Sequence, residues 1–325
     1  MNTTPFNRRR FIQRTGLAAL AAPALSQQVC AAESIPLGLN VSLKGRRPFP
    51  DDNPWNRDIS QEPVDPNSDA IIASIGLAKS LHPDFGTVYQ GAPSGIPYIV
   101  VDSQQPRVPV NFQYADESDP GPYPIPANAP IEGGPTAKGD RHVLVIERDT
   151  WKLYETFSSF PHDGGKSWKA GSGAVFDLNS NKLRPAGWTS ADAAGLPIFP
   201  GLVRYDEVME QKAILHALRF TVVKSRHAYV SPATHFASPH KDANLPPMGM
   251  RARLKASVNI SKFAPPVRVI LTALQRYGMI VADNGSDWFL SGAPDPRWND
   301  EEIHTMKRIK GRDFEVVKMG PLVTR

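Results

Sequence analysis

Proline sets the limits on this chain. It occupies 32 of the 325 positions, roughly twice ordinary usage. Each proline fixes φ, withholds a backbone N–H and breaks helix interiors. With 24 glycines beside it, many turns and few long helices are expected, and a large helical bundle is excluded. The hydrophobic share of 41% is globular and long enough for one large domain or two small ones, so a disordered chain is excluded too.

The N-terminus has its own grammar. Arg8, Arg9 and Arg10 precede Phe11 and Ile12, and an apolar, alanine-rich run follows at 16–25. This opening resembles a twin-arginine (Tat) signal peptide, with cleavage expected after Ala31 or Ala32. The apolar run is too short to span a membrane. The resemblance implies passage through the Tat translocase to the periplasm or beyond. Residues 1–32 hold four arginines and no acids, leaving 37 − 4 = 33 basic against 32 acidic residues, a net charge of +1. A nucleic-acid partner, which needs a basic face, is therefore not expected. Cys30, the single cysteine, leaves with the signal, so no disulfide is available to the mature chain.

Residues 33–67 read as an extended, Pro-rich arm, and 68–325 as a single domain. A short helix is expected at 69–81, and a second, opened by Pro265-Pro266 and closed by Gly278, carries Val267, Ile270, Leu271 and Leu274 on one face. The best hairpin pairs 142–147 with 151–157. Further strand-like segments stand at 96–102, 108–114, 171–178, 203–206, 215–223, 227–230, 250–260, 279–282 and 287–291, while 115–134 reads as a long surface loop. The expected architecture is mainly β, an antiparallel, jelly-roll-like β-sandwich with one or two short helices.

Candidate chemistry concentrates in 216–240, which holds four of the eight histidines. Alternation on a strand puts His216 with Leu218 and Phe220 and turns Arg219 the other way. An antiparallel neighbour would bring His227, Tyr229 or His235 toward His216. Histidine and tyrosine beside arginine suit proton abstraction next to a sugar carboxylate, as in a polysaccharide lyase. The competing reading of His216 is a hydrogen-bonded core residue. A glycoside hydrolase would instead use two carboxylates, and Glu155 and Asp192 are the candidates. Trp168, Trp188, Trp288 and Trp298 are candidate platforms for sugar rings. Asp283 and Asn284 open a half-formed calcium-like loop that a type I′ turn at Asn284-Gly285 explains without a ligand. His235 and His240 are five apart and no HExxH or cysteine pattern accompanies them, so no metal or cofactor is expected.

The stretches 171–205, 216–220 (HALRF), 231–238 (SPATHFAS) and 282–298 (ADNGSDWFLSGAPDPRW) are similar to a group of secreted bacterial proteins generally labelled hypothetical. That resemblance brings no activity with it. From the residues themselves, the expectation is an exported carbohydrate-active enzyme, a hydrolase or lyase whose partner is a polysaccharide or oligosaccharide. The alternatives are a non-catalytic glycan- or partner-binding envelope protein and a metal-dependent oxidoreductase.

Overall fold

The 142–157 hairpin forms where alternation places it. Val143–Glu147 and Lys152–Phe157 pair antiparallel, with Leu144 opposite Glu155 and Val145 opposite Tyr154. Every residue of Val143–Glu147 is buried, because this strand lies inside a five-stranded sheet covered on both faces. One face sends Leu144, Ile146, Leu153 and Ala174 into a core shared with Ile198, Phe199 and Leu202. The other sends Val143, Val145 and Tyr154 against Tyr123 and Trp168.

The computed structural model describes residues 1–2 and 34–324, so nearly all of the expected signal peptide lies outside the described residues. Ser34–Arg325 is one compact unit. Among the described residues, sixteen strands form four sheets and the helices are few and short, which makes the chain mainly β. No described helix is long and apolar enough to cross a membrane.

Strand direction departs from the expected antiparallel jelly roll. The five-stranded sheet runs Gly38–Leu39, Tyr98–Val101, Val143–Glu147, Lys152–Phe157, Ser172–Asp177, and Tyr98–Val101 is parallel to Val143–Glu147. The six-stranded sheet runs Phe314–Val316, Arg251–Leu254, Met279–Asn284, Leu218–Val222, Phe289–Ser291, His82–Asp84. In it, Leu218–Val222 is parallel to Met279–Asn284 and Phe289–Ser291 to His82–Asp84. Hydrophobic alternation reports which residues face a core but not which way the strand runs, and the long connections between these partners permit parallel pairing.

The largest core lies on the face of the second sheet that carries Leu218, Phe220 and Val222. Val267, Ile270, Leu271 and Leu274 of the helix Pro265–Arg276 pack there, as their spacing requires. The helix starts on proline and is followed by Gly278 at φ 67°. Trp288 stacks between Phe220 and Phe314, 5.6 and 5.0 Å away, and its indole N–H donates to the Gly76 carbonyl. Gly76, at φ 120°, ends the helix Ser68–Ile75 earlier than expected.

Several segments do more than their sequences suggest. The 34–67 stretch is not an arm laid over the domain: Ile35 and Leu43 enter one core and Trp55 the other. It also ties to the far end of the chain, with Val64 bridging Val317 and the Ile59 amide donating to the Arg276 carbonyl. The 115–134 loop buries Tyr123 and Ile125. The expected strand at 203–206 is a single bridge followed by a π-helical turn, Asp206–Gln211, and the one at 227–230 is reduced to bridges at Tyr229.

Candidate functional site

The loop 188–199 is pinned from several directions at once. Asp192 accepts from Arg219 through both carboxylate oxygens, at 2.8 and 3.0 Å. The Ala191 carbonyl meets His142 Nε2 at 3.0 Å, and the Ala193 carbonyl meets His235 Nδ1 at 2.8 Å. Glu155 closes the far end, accepting from the Ile198 amide at 2.9 Å and the Phe199 amide at 2.9 Å. Four of the sequence-derived candidates, Glu155, Asp192, Arg219 and His235, therefore converge, but on a stretch of this chain's own backbone.

The electrostatics follow from burial. Glu155 and Asp192 are 0% and 1% exposed. Burial pushes the Glu155 carboxyl up to about 7 against two amide donors that favour the charged form. Burial pulls Arg219 toward neutrality, and the Asp192 carboxylate overrides it, holding the guanidinium above its ordinary value. His142 has an acceptor on each ring nitrogen, Glu132 at 2.6 Å and the Ala191 carbonyl, the arrangement of an imidazolium. Burial opposes that charge, yet Glu132 raises His142 to about 9.

His142 links this interior to a cleft. Asp84, Glu132, Asp140, Lys138 and Tyr89 are on the wall of a cavity of about 600 Å³. Asp84 ends an edge strand and is the register partner of Ser291, whose hydroxyl accepts from Arg219 at 2.5 Å. Asp84 is exposed at the strand end; partial desolvation by the cleft wall, then Glu132 nearby, push its carboxyl upward while Arg219 pulls it down. Enclosure acts upward on Glu132 too, but the His142 imidazolium wins and holds it low. Tyr89 stands 67% exposed on the small hairpin Val88–Tyr89 with Ala92–Pro93. That hairpin turns through Gln90 and Gly91, both at positive φ. An apolar groove of about 610 Å³ adjoins it, sharing Pro93 and lined by Ile131 and Trp168.

No protein-family model, curated protein or solved structure matches this chain.

The other sequence-derived candidates are scattered. His216 is buried at a separate charged cluster, with Nε2 3.0 Å from Glu207, which also pairs with Arg204 at 2.7 Å. Tyr229 is buried and stacks on Phe236. The lyase set thus does not assemble: His216 bonds to Glu207, Arg219 to Asp192, and His235 to the Ala193 carbonyl. The hydrolase pair fails as drawn, since Glu155 and Asp192 are sealed from any groove. Trp168, Trp288 and Trp298 are buried at 2%, 0% and 6% exposure and are not open platforms. Trp188 is half-buried beside Arg184. Asp283 sits in the Met279–Asn284 strand, pushed up to about 7 by burial and then by Asp192, and Asn284 is held by Val222 and Ser225. The turn expected at Asn284-Gly285 is displaced, and Trp288 takes the left-handed position at φ 61°. Among the described residues, no group of three or more His, Cys, Asp or Glu side chains is placed to hold a metal ion. Asp84, Glu132, His142 and Tyr89 were not singled out by sequence. The one available signal was an acid in a Pro/Gly loop, Pro130-Ile131-Glu132-Gly133.

The buried groups set the slope of stability with pH. Between about 4.5 and 7 the folded chain keeps the Glu155 proton that the unfolded chain releases, so stability falls as pH rises, by on the order of 3 kcal/mol across the window. Asp283 acts in the same direction. The His142 contribution is complete below about 6.5 and is lost as pH rises through about 9. Urea midpoints at acidic, neutral and alkaline pH should therefore descend, and Glu155→Gln should flatten the first part of the descent. A midpoint that rises between pH 5 and 7 (roughly the Glu155 window) contradicts this assignment.

Proposed function

We propose that this chain is an exported, carbohydrate-active hydrolase working in the cleft between Asp84 and Glu132. The observation that carries the reading is the placing of two acids, Asp84 and Glu132, on one polar wall with the His142 ring 2.6 Å from Glu132; the directions in which their surroundings push them, Asp84 upward and Glu132 downward, support it. Divergent carboxylates of this kind divide the roles of acid and base in glycoside cleavage. Asp84 gives its proton to the glycosidic oxygen as the C–O bond breaks. Glu132 takes a proton from the water that attacks the anomeric carbon, and the products are a free reducing end and an alcohol. His142 keeps Glu132 ionised, and the exposed Tyr89 ring offers a face for a sugar. Export by the Tat translocase to the periplasm or outside the cell rests on the Arg8-Arg9 opening and places the enzyme where polysaccharides are met.

A panel of neutral and acidic polysaccharides, followed by reducing ends and by unsaturated-uronate absorbance in parallel, tests this. Reducing ends alone should rise, and Asp84→Asn should abolish the rise. Both signals rising together would assign a lyase instead. The apolar groove beside the cleft favours a second reading, a non-catalytic binding protein; silence in both assays with retained glycan binding would select it.

A further inference from the structure

A separate cavity of about 330 Å³ is lined by Pro54, Arg251 and the C-terminal stretch 317–320. Its polar side chains are Asp52, Arg57, Glu62, Ser231, Arg251 and Lys318. Arg251 is only partly exposed. Among the described residues its hydrogen-bond partner is the Pro54 carbonyl, reached by Nη2, and no carboxylate forms an ion pair with it. Arg204, Arg219 and Arg253 each meet a carboxylate, and Arg141, which does not, spends its donors on the carbonyls of Ser159, Pro135 and Ala137, whereas Arg251 has the one Pro54 carbonyl. The two acids of the cavity are engaged elsewhere, Glu62 by Arg57 and Asp52 by Asn181.

A cation drawn out of water without a counter-charge is costly. Burial, then repulsion from Arg57, lower the Arg251 guanidinium to about 10, while Glu62 pulls the other way. The remaining N–H donors of Arg251 form a planar fork that fits two oxygens of one acid group. We propose that this cavity is a binding site for a small oxyanion, a carboxylate or phosphate group, held by Arg251 with Lys318 as a second cation. The inference stands on this cavity alone and is independent of the hydrolase reading.

Calorimetric titration of the purified full chain in a zwitterionic buffer, at constant ionic strength, tests it with two probes, inorganic phosphate and glucuronate. Saturable one-to-one binding of at least one probe is expected, and the probe that binds identifies the source of the anion. Arg251→Gln should weaken that binding roughly tenfold or more. Arg251→Lys, which keeps the charge and loses the fork, should weaken it less. Without added anion, Arg251→Gln should melt no lower than the unaltered chain, because it removes an unpaired charge. Failure of both probes to saturate overturns the proposal, as does binding that Arg251→Gln leaves unchanged. If Arg251→Gln does not fold, unchanged affinity in both Arg251→Lys and Lys318→Gln overturns it equally.

Discussion

Replacing Arg219 with leucine is expected to destabilise the folded chain by about 3–5 kcal/mol, the range for breaking a buried ion pair from one side. Arg219 and Asp192 are 3% and 1% exposed, so the carboxylate left behind has no water to turn to. Arg219 also donates to Ser291 at 2.5 Å, and the loop 188–199 loses a main anchor. The companion double variant, Arg219→Leu with Asp192→Leu, removes the stranded charge and should recover a large part of the loss. Urea denaturation of the three proteins measures both. A single-variant loss below about 1 kcal/mol, the scale of an exposed pair, would show that the bridge is not holding this interior together.

The largest effect on activity is expected at Glu132. Glu132→Gln preserves shape and removes the base, so turnover on the polysaccharide identified by the panel should fall by about 10²–10⁴-fold. Its urea midpoint should fall as well, because His142, 3% exposed, loses the counter-charge that keeps it protonated, so turnover is compared under conditions where both proteins are folded. His142→Gln provides the finer check. Without the imidazolium at 2.6 Å, the Glu132 carboxyl rises toward its ordinary range, and the acidic limb of the pH–rate profile moves to higher pH. The alkaline limb, set by Asp84, should stay where it is. Full turnover in Glu132→Gln, or an acidic limb that His142→Gln leaves in place, rejects this division of labour.

Local chemistry was legible in the sequence and long-range partnership was not. The 142–157 hairpin and the Pro265–Arg276 helix were readable because period, proline and glycine act within a few residues. Alternation also turned Arg219 away from Leu218 and Phe220 correctly. It had no means of naming Asp192, 27 residues distant, as what Arg219 would meet. Glu155 stood out as a carboxylate between aromatics, which was a sound signal of perturbation but not of exposure to substrate. Tryptophan was the least reliable guide, since the residue that fits a sugar face also fills a core, as Trp288 does. Asp84 and Glu132 lie 48 positions apart in no recognisable motif, and only the approach of an edge strand to a Pro/Gly loop puts them on one wall.

The early residues of the described chain do not finish their business among themselves. Asn40 donates to the Pro294 carbonyl, Asp58 pairs with Arg276, and the Asp65 amide and carboxylate engage Val316 and Met319. Both ends of the unit are thus needed before its larger core has walls. A chain made N-terminus first makes the strand Phe314–Val316 long after the residues it closes on. Loops of such length close slowly. The larger core is consequently completed late, with Trp55 waiting, apolar and uncovered, for companions such as Leu218 and Phe220, made more than a hundred residues later.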